Sequence, residues 1–416
     1  MHHCHFCAAP LRHTFVDLGV QPLCESFLRP EQLDAMEPFY PLHARVCERC
    51  FLVQVPEYVQ PEGIFTEYAY FSSYSESWLR HAATYVDMIS RRLELGADSF
   101  VVELASNDGY LLQYFLDKGP RVLGVEPAAN VAAAAVEKGV PTEVSFFGRT
   151  SAAQLAESQG QADLVIGNNV LAQVPDLNDF VGGIALLLAP TGVVTLEFPH
   201  LLRLIEGNQF DTIYHEHFSY FSVVTCQQIF AAHGLILFDV EELSTHGGSL
   251  RIYLRHDADA TKPVSAAVGE LVDAERKAGL DQIETYAAFT EQVEATKRDL
   301  LRFLIDARSA GHQVVGYGAP GKGNTLLNYC GIRTDLLAYT VDRNPYKHGL
   351  HTPGARIPIF PPERIAETRP DYVLIMPWNL RDEIAPDLAY VREWGGRLVV
   401  GIPETTVLDD AGVKAS

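Results

Sequence analysis

The chain has 416 residues, room for two or three domains, and 47% of them are hydrophobic, as in a globular protein with a full core. A net charge of −21 argues against an electrostatic nucleic-acid binder but leaves room for a local pocket for a small anion. No apolar run is long enough for a transmembrane helix, and the N-terminus lacks the charged and apolar regions of a secretory signal. The sequence therefore predicts a soluble, cytoplasmic protein with no membrane or nucleic-acid partner.

The first elements are Cys4-x-x-Cys7 and Cys47-x-x-Cys50. Two such knuckles supply four thiolates, which suits a closed, tetrahedral, structural Zn²⁺. The spacer of 39 residues exceeds that of a compact zinc ribbon and must hold structure of its own. His2, His3 and His5 crowd the first knuckle, but a full cysteine set leaves them no place. Cys24, Cys226 and Cys330 have no matching partners and read as buried apolar residues. Over residues 62–81, Tyr68, Tyr70 and Tyr74 alternate with serines. Their hydroxyls suit a sugar or a cofactor; aromatic packing between domains is the plainer alternative. An amphipathic helix then runs to about Leu95.

From Ser99 short apolar runs alternate with helical patterns, predicting a mainly parallel α/β sheet. S-F-V-V-E-L-A is one strand and R-V-L-G-V-E the next, ending on Glu126 before Pro127. Ligands of such sheets bind at the strands' carboxyl ends, where Glu126 is placed to accept ribose hydroxyls. A-D-L-V-I-G-N-N is a further strand, and the turn at 188–192 before V-V-T-L-E-F-P is typical of class I methyltransferases. Glu103-x-x-x-Asn107-Asp108-Gly109 departs from their glycine-rich loop but keeps the opening acid and one glycine. Together with Asn168 and Asn169 these features favour S-adenosylmethionine over other nucleotides. The expected cofactor set is Glu103, Ala105, Asn107, Glu126, Pro127, Asn168, Asn169 and Gln173.

Residues 211–222 read D-T-I-Y-H-E-H-F-S-Y-F-S. A phenol, two imidazoles and a carboxylate fall on consecutive positions, Tyr214 to His217. Histidine can take and return a proton near neutral pH, and a phenol can donate to an oxyanion. A partly buried aromatic loop is the plainer reading, and H-E-H lacks the spacing of a zinc protease helix. T-H-G-G-S-L-R follows at 245–251: Gly247 and Gly248 permit close backbone approach, and Arg251 suits a phosphate. Residues 264–309 read as a long helical connection between domains.

H-Q-V-V-G-Y-G-A-P-G-K-G-N holds Gly316-x-Gly318-x-x-Gly321 between a strand and a helix, with Asp342 ending the next strand. This is the dinucleotide fingerprint in its proper context. It nearly spells a Walker loop, but Gly323 takes the hydroxyl position after Lys322. A helix N-terminus holding substrate phosphates, with Lys322 supplying charge, is the other reading.

With these pieces in place the chain resembles the zinc-containing C-methyltransferases of nucleotide-linked keto-sugars, which make branched deoxysugars. The carriers are the paired C-x-x-C motifs, Y-x-Y-F-S-S-Y-S, E-L-A-S-N-D-G, Y-H-E-H-F-S-Y-F-S, T-H-G-G-S-L-R and G-K-G-N-T-L-L-N-Y-C, spanning nearly the whole chain. The resemblance implies a zinc domain over 1–60, an S-adenosylmethionine-binding domain with a helical lead-in over 61–241, and a Rossmann-like domain over 242–416. The last would help enclose the nucleotide-sugar and bind no NAD. The family's base falls on His217, with Glu216 beside it as orienter and Tyr214 or Tyr68 as donor to an enolate. Substrate contacts are expected from Tyr70, His246, Ser249, Arg251, Lys322, Asn324 and Asp342. The implied acceptor is a dTDP-linked 4-keto-sugar methylated at C3 or C5 by a monomeric enzyme. One departure stands out: Gln173 replaces a family histidine and cannot shuttle a proton. The rival readings are an NAD-dependent oxidoreductase using Gly316–Gly321, and an enolising isomerase or nucleotide-sugar-binding relative.

Overall fold

A computed structural model describes residues 2–59 and 72–408, so the expectations on Tyr68 and Tyr70 lie outside the described residues. The chain forms two compact units, each assembled from separated segments. The first comprises Met1–Leu11, Cys47–His200 and Phe218–Asp281; the second comprises Arg12–Val46, Leu201–His217 and Gln282–Ser416.

The first unit is built on a seven-stranded sheet. Its strands are β1 (Phe100–Leu104), β2 (Arg121–Val125), β3 (Thr142–Glu143), β4 (Ala162–Asn168), β5 (Leu188–Pro199), β6 (Leu235–Leu243) and β7 (Ser249–His256). They lie in the order β3-β2-β1-β4-β5-β7-β6, parallel except for β7. The central strands are apolar on both faces because each face meets helices. Alternate residues feed two cores: Val102 and Val165 face the one holding α4 (Leu177–Leu187), while Val101, Leu164 and Ile166 face the one holding α1 (Glu76–Arg92). In α1 the buried residues Ala82, Tyr85, Val86 and Ile89 follow helical spacing, and the Ser75 hydroxyl caps the start by accepting from the Trp78 amide. Helices α2 (Ala129–Glu137) and α3 (Arg149–Gln159) precede α4, and α5 (Val223–Ala231) and α6 (Ala266–Lys277) complete the unit.

The second unit has six strands in the order β10-β9-β8-β11-β12-β13, all parallel but the last: β8 (Val314–Tyr317), β9 (Thr340–Val341), β10 (Ile359–Phe360), β11 (Tyr372–Ile375), β12 (Arg397–Val400) and β13 (Thr406–Val407). Helix α7 (Ile283–Ser309) leads in, and α8 (Gly321–Cys330) follows β8. The hairpin of His13–Gln21 with Tyr40–Val46 belongs here too, and Phe15 stacks on Phe289 with centroids 4.5 Å apart.

The expected boundary at 241–242 falls within β6, which pairs antiparallel with β7, and the last crossing between the compact units lies between Asp281 and Gln282. The long helical stretch is thus two helices, broken where Gly279 adopts φ +84°.

Candidate functional site

The four cysteines of the paired motifs converge, with all four sulfurs within 4.8 Å of one another. Cys4 meets Cys50 and Cys7 meets Cys47, each at 3.5 Å. Tetrahedral zinc with Zn–S of about 2.3 Å separates its ligands by roughly 3.8 Å, so the cluster fits the ion. Both knuckles use the same turn. Ala8 and Phe51 take positive φ, so the Ala8 and Phe51 amides bond back to the Cys4 and Cys47 carbonyls. The Gln54 amide and Arg49 N–H donate to the Cys4 and Cys47 sulfurs, as thiolates require. His2, His3 and His5 are outside the cluster; burial lowers His5 to about 4.

The expected cofactor residues gather at the carboxyl ends of β1, β2 and β4. Ala105, Asn107 and Asn169 all adopt left-handed φ there, which is uncommon outside glycine and concentrates at ligand sites. Glu126 anchors the crevice by accepting from the Asn107 and Ala128 amides, each at 2.9 Å. Burial raises its carboxyl, and these two N–H groups oppose the rise. Glu103 is buried at the base of the loop, and desolvation drives its carboxyl far up. Asn107 Oδ1 accepts from the Ser72 amide at 2.9 Å. Both polar atoms of the Asn168 carboxamide and Oδ1 of Asp108 are buried without partners among the described residues. Unpaired groups of this kind are costly unless a ligand meets them, so the crevice fits S-adenosylmethionine. Pro127 is half-buried beside Glu126, and Gln173 is half-buried in a turn after β4.

Next to this crevice lies a cluster that the motifs did not announce. His81 on α1 donates through Nε2 to Glu197 at the end of β5, 2.9 Å away, and stacks on Trp78 at 4.9 Å. Trp78 also stacks on Tyr110 and meets His246 edge-on. The only sequence signal was an aromatic and a histidine on one face of the lead-in helix. Arg251 was expected to hold a phosphate. Its guanidinium instead meets Glu197 at 2.8 Å and Glu241 at 3.0 Å, 4% exposed, because two acidic strand residues flank it in register. Burial works against Glu197, but His81 and Arg251 hold it below the usual carboxylate range. Ser249 is likewise internal, donating to the Thr245 carbonyl. His246 does face the crevice, in left-handed backbone, with Nε2 at 3.3 Å from the Asn169 carboxamide.

Tyr214, His215, Glu216 and His217 all belong to the second unit. His217 is half-buried, its ring 4.1 Å from that of Tyr214 and tilted 34° to it. Its Nδ1 donates to the Thr212 carbonyl at 3.1 Å, which fixes Nε2 as the basic nitrogen. Glu216 had been expected as the orienter; that part is taken by the Thr212 carbonyl. The Glu216 carboxyl instead accepts from the Cys24 thiol, and burial, reinforced by Glu25, pushes it up to about 8. His215 is buried, with Nε2 at the Pro41 carbonyl and its ring edge-on to Tyr40, and burial lowers its pKa. Asp211 accepts from the Trp378 indole at 2.8 Å, and burial lifts it to about 6 against the pull of Lys322.

The glycine loop stands between β8 and α8. Gly318 takes φ +85°, and a Cβ on Gly321 would lie 3.0 Å from the Cys24 sulfur and 3.2 Å from Glu25 Oε1. Asp342 accepts from the Ala319 amide at 2.7 Å and the Asn344 amide at 2.8 Å. Asn324, expected at the substrate, is 1% exposed and donates to the Cys24 carbonyl at 2.6 Å. Lys322 donates to Asn379 and lies over the Trp378 ring.

Residues 4–65 match a family model described as "Putative zinc binding domain", 77–239 one described as "Methyltransferase domain", and 244–403 one described as "C-methyltransferase C-terminal domain". C-methyltransferase NovU of Streptomyces niveus is 38% identical over 396 residues, covering 94% of this chain and 93% of its own. A ubiquinone biosynthesis O-methyltransferase of Rhodopseudomonas palustris is 25% identical over 96 residues, 23% of this chain and 38% of its own. Among solved structures, an S-adenosylmethionine-dependent methyltransferase of Anabaena variabilis has a TM-score of 0.36 at 14% identity, covering 42% of this chain and 84% of that one. Magnesium protoporphyrin IX methyltransferase of Synechocystis has a TM-score of 0.35 at 16% identity, covering 42% and 82%.

Proposed function

The chain belongs to the C-methyltransferase family and depends on S-adenosylmethionine, and on that footing we propose that its acceptor is a nucleotide-linked 4-keto-deoxysugar, dTDP-linked and methylated at C3, with C5 the alternative carbon. The observation that carries this reading is the His217 imidazole. Its Nδ1–H is committed to the Thr212 carbonyl, so Nε2 is the nitrogen that accepts a proton. A ketone at C4 acidifies the neighbouring C–H bonds. His217 removes one such proton onto Nε2, and the electron pair enters an enolate. When bound, S-adenosylmethionine would be held by Glu126, Asn107 and the Asn168 carboxamide and would supply the electrophilic methyl for the enolate carbon, its sulfur leaving as the neutral thioether. Tyr214 donates to the enolate oxygen, with Tyr68 the second candidate donor, and Glu216 stands beside the base as a neutral carboxyl at pH 7. His246 and Lys322 remain the substrate contacts of this scheme.

The test is mass spectrometry of a panel of nucleotide-linked 4-keto-sugars incubated with S-adenosylmethionine. One or more should gain a single methyl group on carbon. Methylation of none, or on oxygen alone, rejects the acceptor. The NAD-dependent reading draws no support from the glycine loop, whose close-approach side is lined by the chain's own Cys24 and Glu25.

A further inference from the structure

Twice the chain leaves the first unit and returns, over Arg12–Val46 and over Leu201–His217. The first departure is tied at its neck by the cysteine cluster. Cys4 and Cys7 precede it, Cys47 and Cys50 follow it, and the contacts pair one of each, Cys4 with Cys50 and Cys7 with Cys47. The second departure carries Tyr214, His215, Glu216 and His217, and no metal cluster stands at its neck among the described residues.

One side chain of α6 stands there instead. His200, the last residue before the departure, donates from Nε2 to Glu275 Oε1 at 2.8 Å. On the returning side, the Val223 amide donates to Oε1 at 2.7 Å and the Val224 amide to Oε2 at 2.9 Å. The Ser222 hydroxyl accepts from the Thr225 amide, so the first turn of α5 is fully capped. His200 and Phe221 also form a parallel bridge, and the His200 amide donates to the Gly248 carbonyl. The His200 and Glu275 side chains are both 0% exposed. A carboxyl group without solvent is held here by one imidazole and two helix-terminal amides. Capping α5 needs only the two amides; the third bond, to His200, joins the outgoing strand to the incoming helix.

We propose that Glu275 is a positioning residue for methyl transfer: with His200 it clasps the neck of the 201–217 excursion, as the four cysteines clasp that of 12–46. This rests on the reading of His217 as base. The residue touches no reacting atom and acts through the segment it ties.

The test compares Glu275→Ala, Glu275→Gln and His200→Gln with the wild type in three measurements. These are amide hydrogen exchange by mass spectrometry, S-adenosylmethionine affinity by calorimetry, and turnover of whichever panel sugar the wild type accepts. For Glu275→Ala, exchange over 201–217 should rise about 10–100-fold, the equilibrium equivalent of leaving buried donors unpaired. Exchange in β1, β2 and β4 and cofactor affinity should hold, and kcat should fall on the order of 10²-fold, as misplaced groups cost. Glu275→Gln keeps an acceptor of the same size, His200→Gln keeps an N–H donor, and both should recover part of the loss. If Glu275→Ala does not fold, these two variants decide the matter. Unchanged exchange over 201–217 overturns the clasp, as does a rise spread evenly over the sheet or a loosened segment with full kcat. A wild type that methylates no panel member overturns the acceptor reading instead, and the exchange measurement alone then decides the clasp.

Discussion

The crevice at Glu126 and the loop at Asp342 use one device. In each, an acid at the end of the second strand of a parallel pair accepts from an amide of the preceding loop and from an amide two residues on. What lies above the device differs. At the Glu126 crevice, the Asn168 carboxamide and Asp108 Oδ1 have no partner among the described residues. Beside the Asp342 loop the chain is its own partner. Cys24 and Glu25 sit against Gly321, Asn324 holds the Cys24 carbonyl, and the Lys347 ammonium lies 3.8 Å from Glu25. A glycine fingerprint reports that something approaches the backbone closely; it does not report whether that is a nucleotide or the protein.

The largest effect should come from the metal. Cys47→Ser should abolish stoichiometric zinc by elemental analysis and melt the N-terminal knuckles, because structural zinc contributes roughly 10–16 kcal/mol of apparent binding free energy in small domains. Undiminished thermal stability without zinc would show that the four sulfurs meet for packing alone. Next comes a functional separation of the two units. His217→Asn should lose on the order of 10²–10⁴ in kcat, while S-adenosylmethionine binds as before by calorimetry. Near-normal turnover would move the base elsewhere.

The two acids give a direct paired test. Glu126→Ala should weaken S-adenosylmethionine by about 1.5–3 kcal/mol through lost charge-assisted bonds. Asp342→Ala should leave that affinity alone and lower stability only. Equal losses in both would erase the distinction drawn between them. The smallest effect concerns protonation. The Glu216 carboxyl titrates near 8 when folded and near the ordinary 4.5 when unfolded. Folding therefore takes up a proton between those values, and the stability from this group is full below about pH 4.5 and is lost as pH rises to about 8. Glu216→Gln, which mimics the neutral acid, should be relatively more stable at pH 8 than at pH 5 in urea titrations. A gap that does not change with pH would place the proton elsewhere.

The parallel strands were legible because their apolar runs are long and buried on both faces, and the zinc cluster because paired C-x-x-C motifs have few other uses. The two-unit division was not. It depends on β7 inserting beside β5, and on a hairpin at 13–46 that packs against a helix beginning at 283, contacts that local periodicity does not encode. The site was legible by residue type more than by partner. His217 and Glu216 are adjacent in sequence, yet the imidazole turns to the Thr212 carbonyl and the carboxyl to Cys24, 192 positions away. Arg251 looked available for a phosphate because the strand pairing that sets Glu197 and Glu241 on either side of it is invisible in one dimension. His81 went unremarked because one histidine on an amphipathic helix carries no motif.

The interleaving of the two units bears on how the protein is made. A ribosome that has released residue 281 has delivered every strand of the seven-stranded sheet and all four zinc ligands. The hairpin carrying Phe15 and Leu42, both fully buried in the finished protein, must still wait for Phe289 and the rest of α7 to emerge. Through that interval its apolar face is bare, so a gene truncated after Asp281 should give a product that precipitates, and slowed translation past residue 309 should favour recovery of the full-length chain.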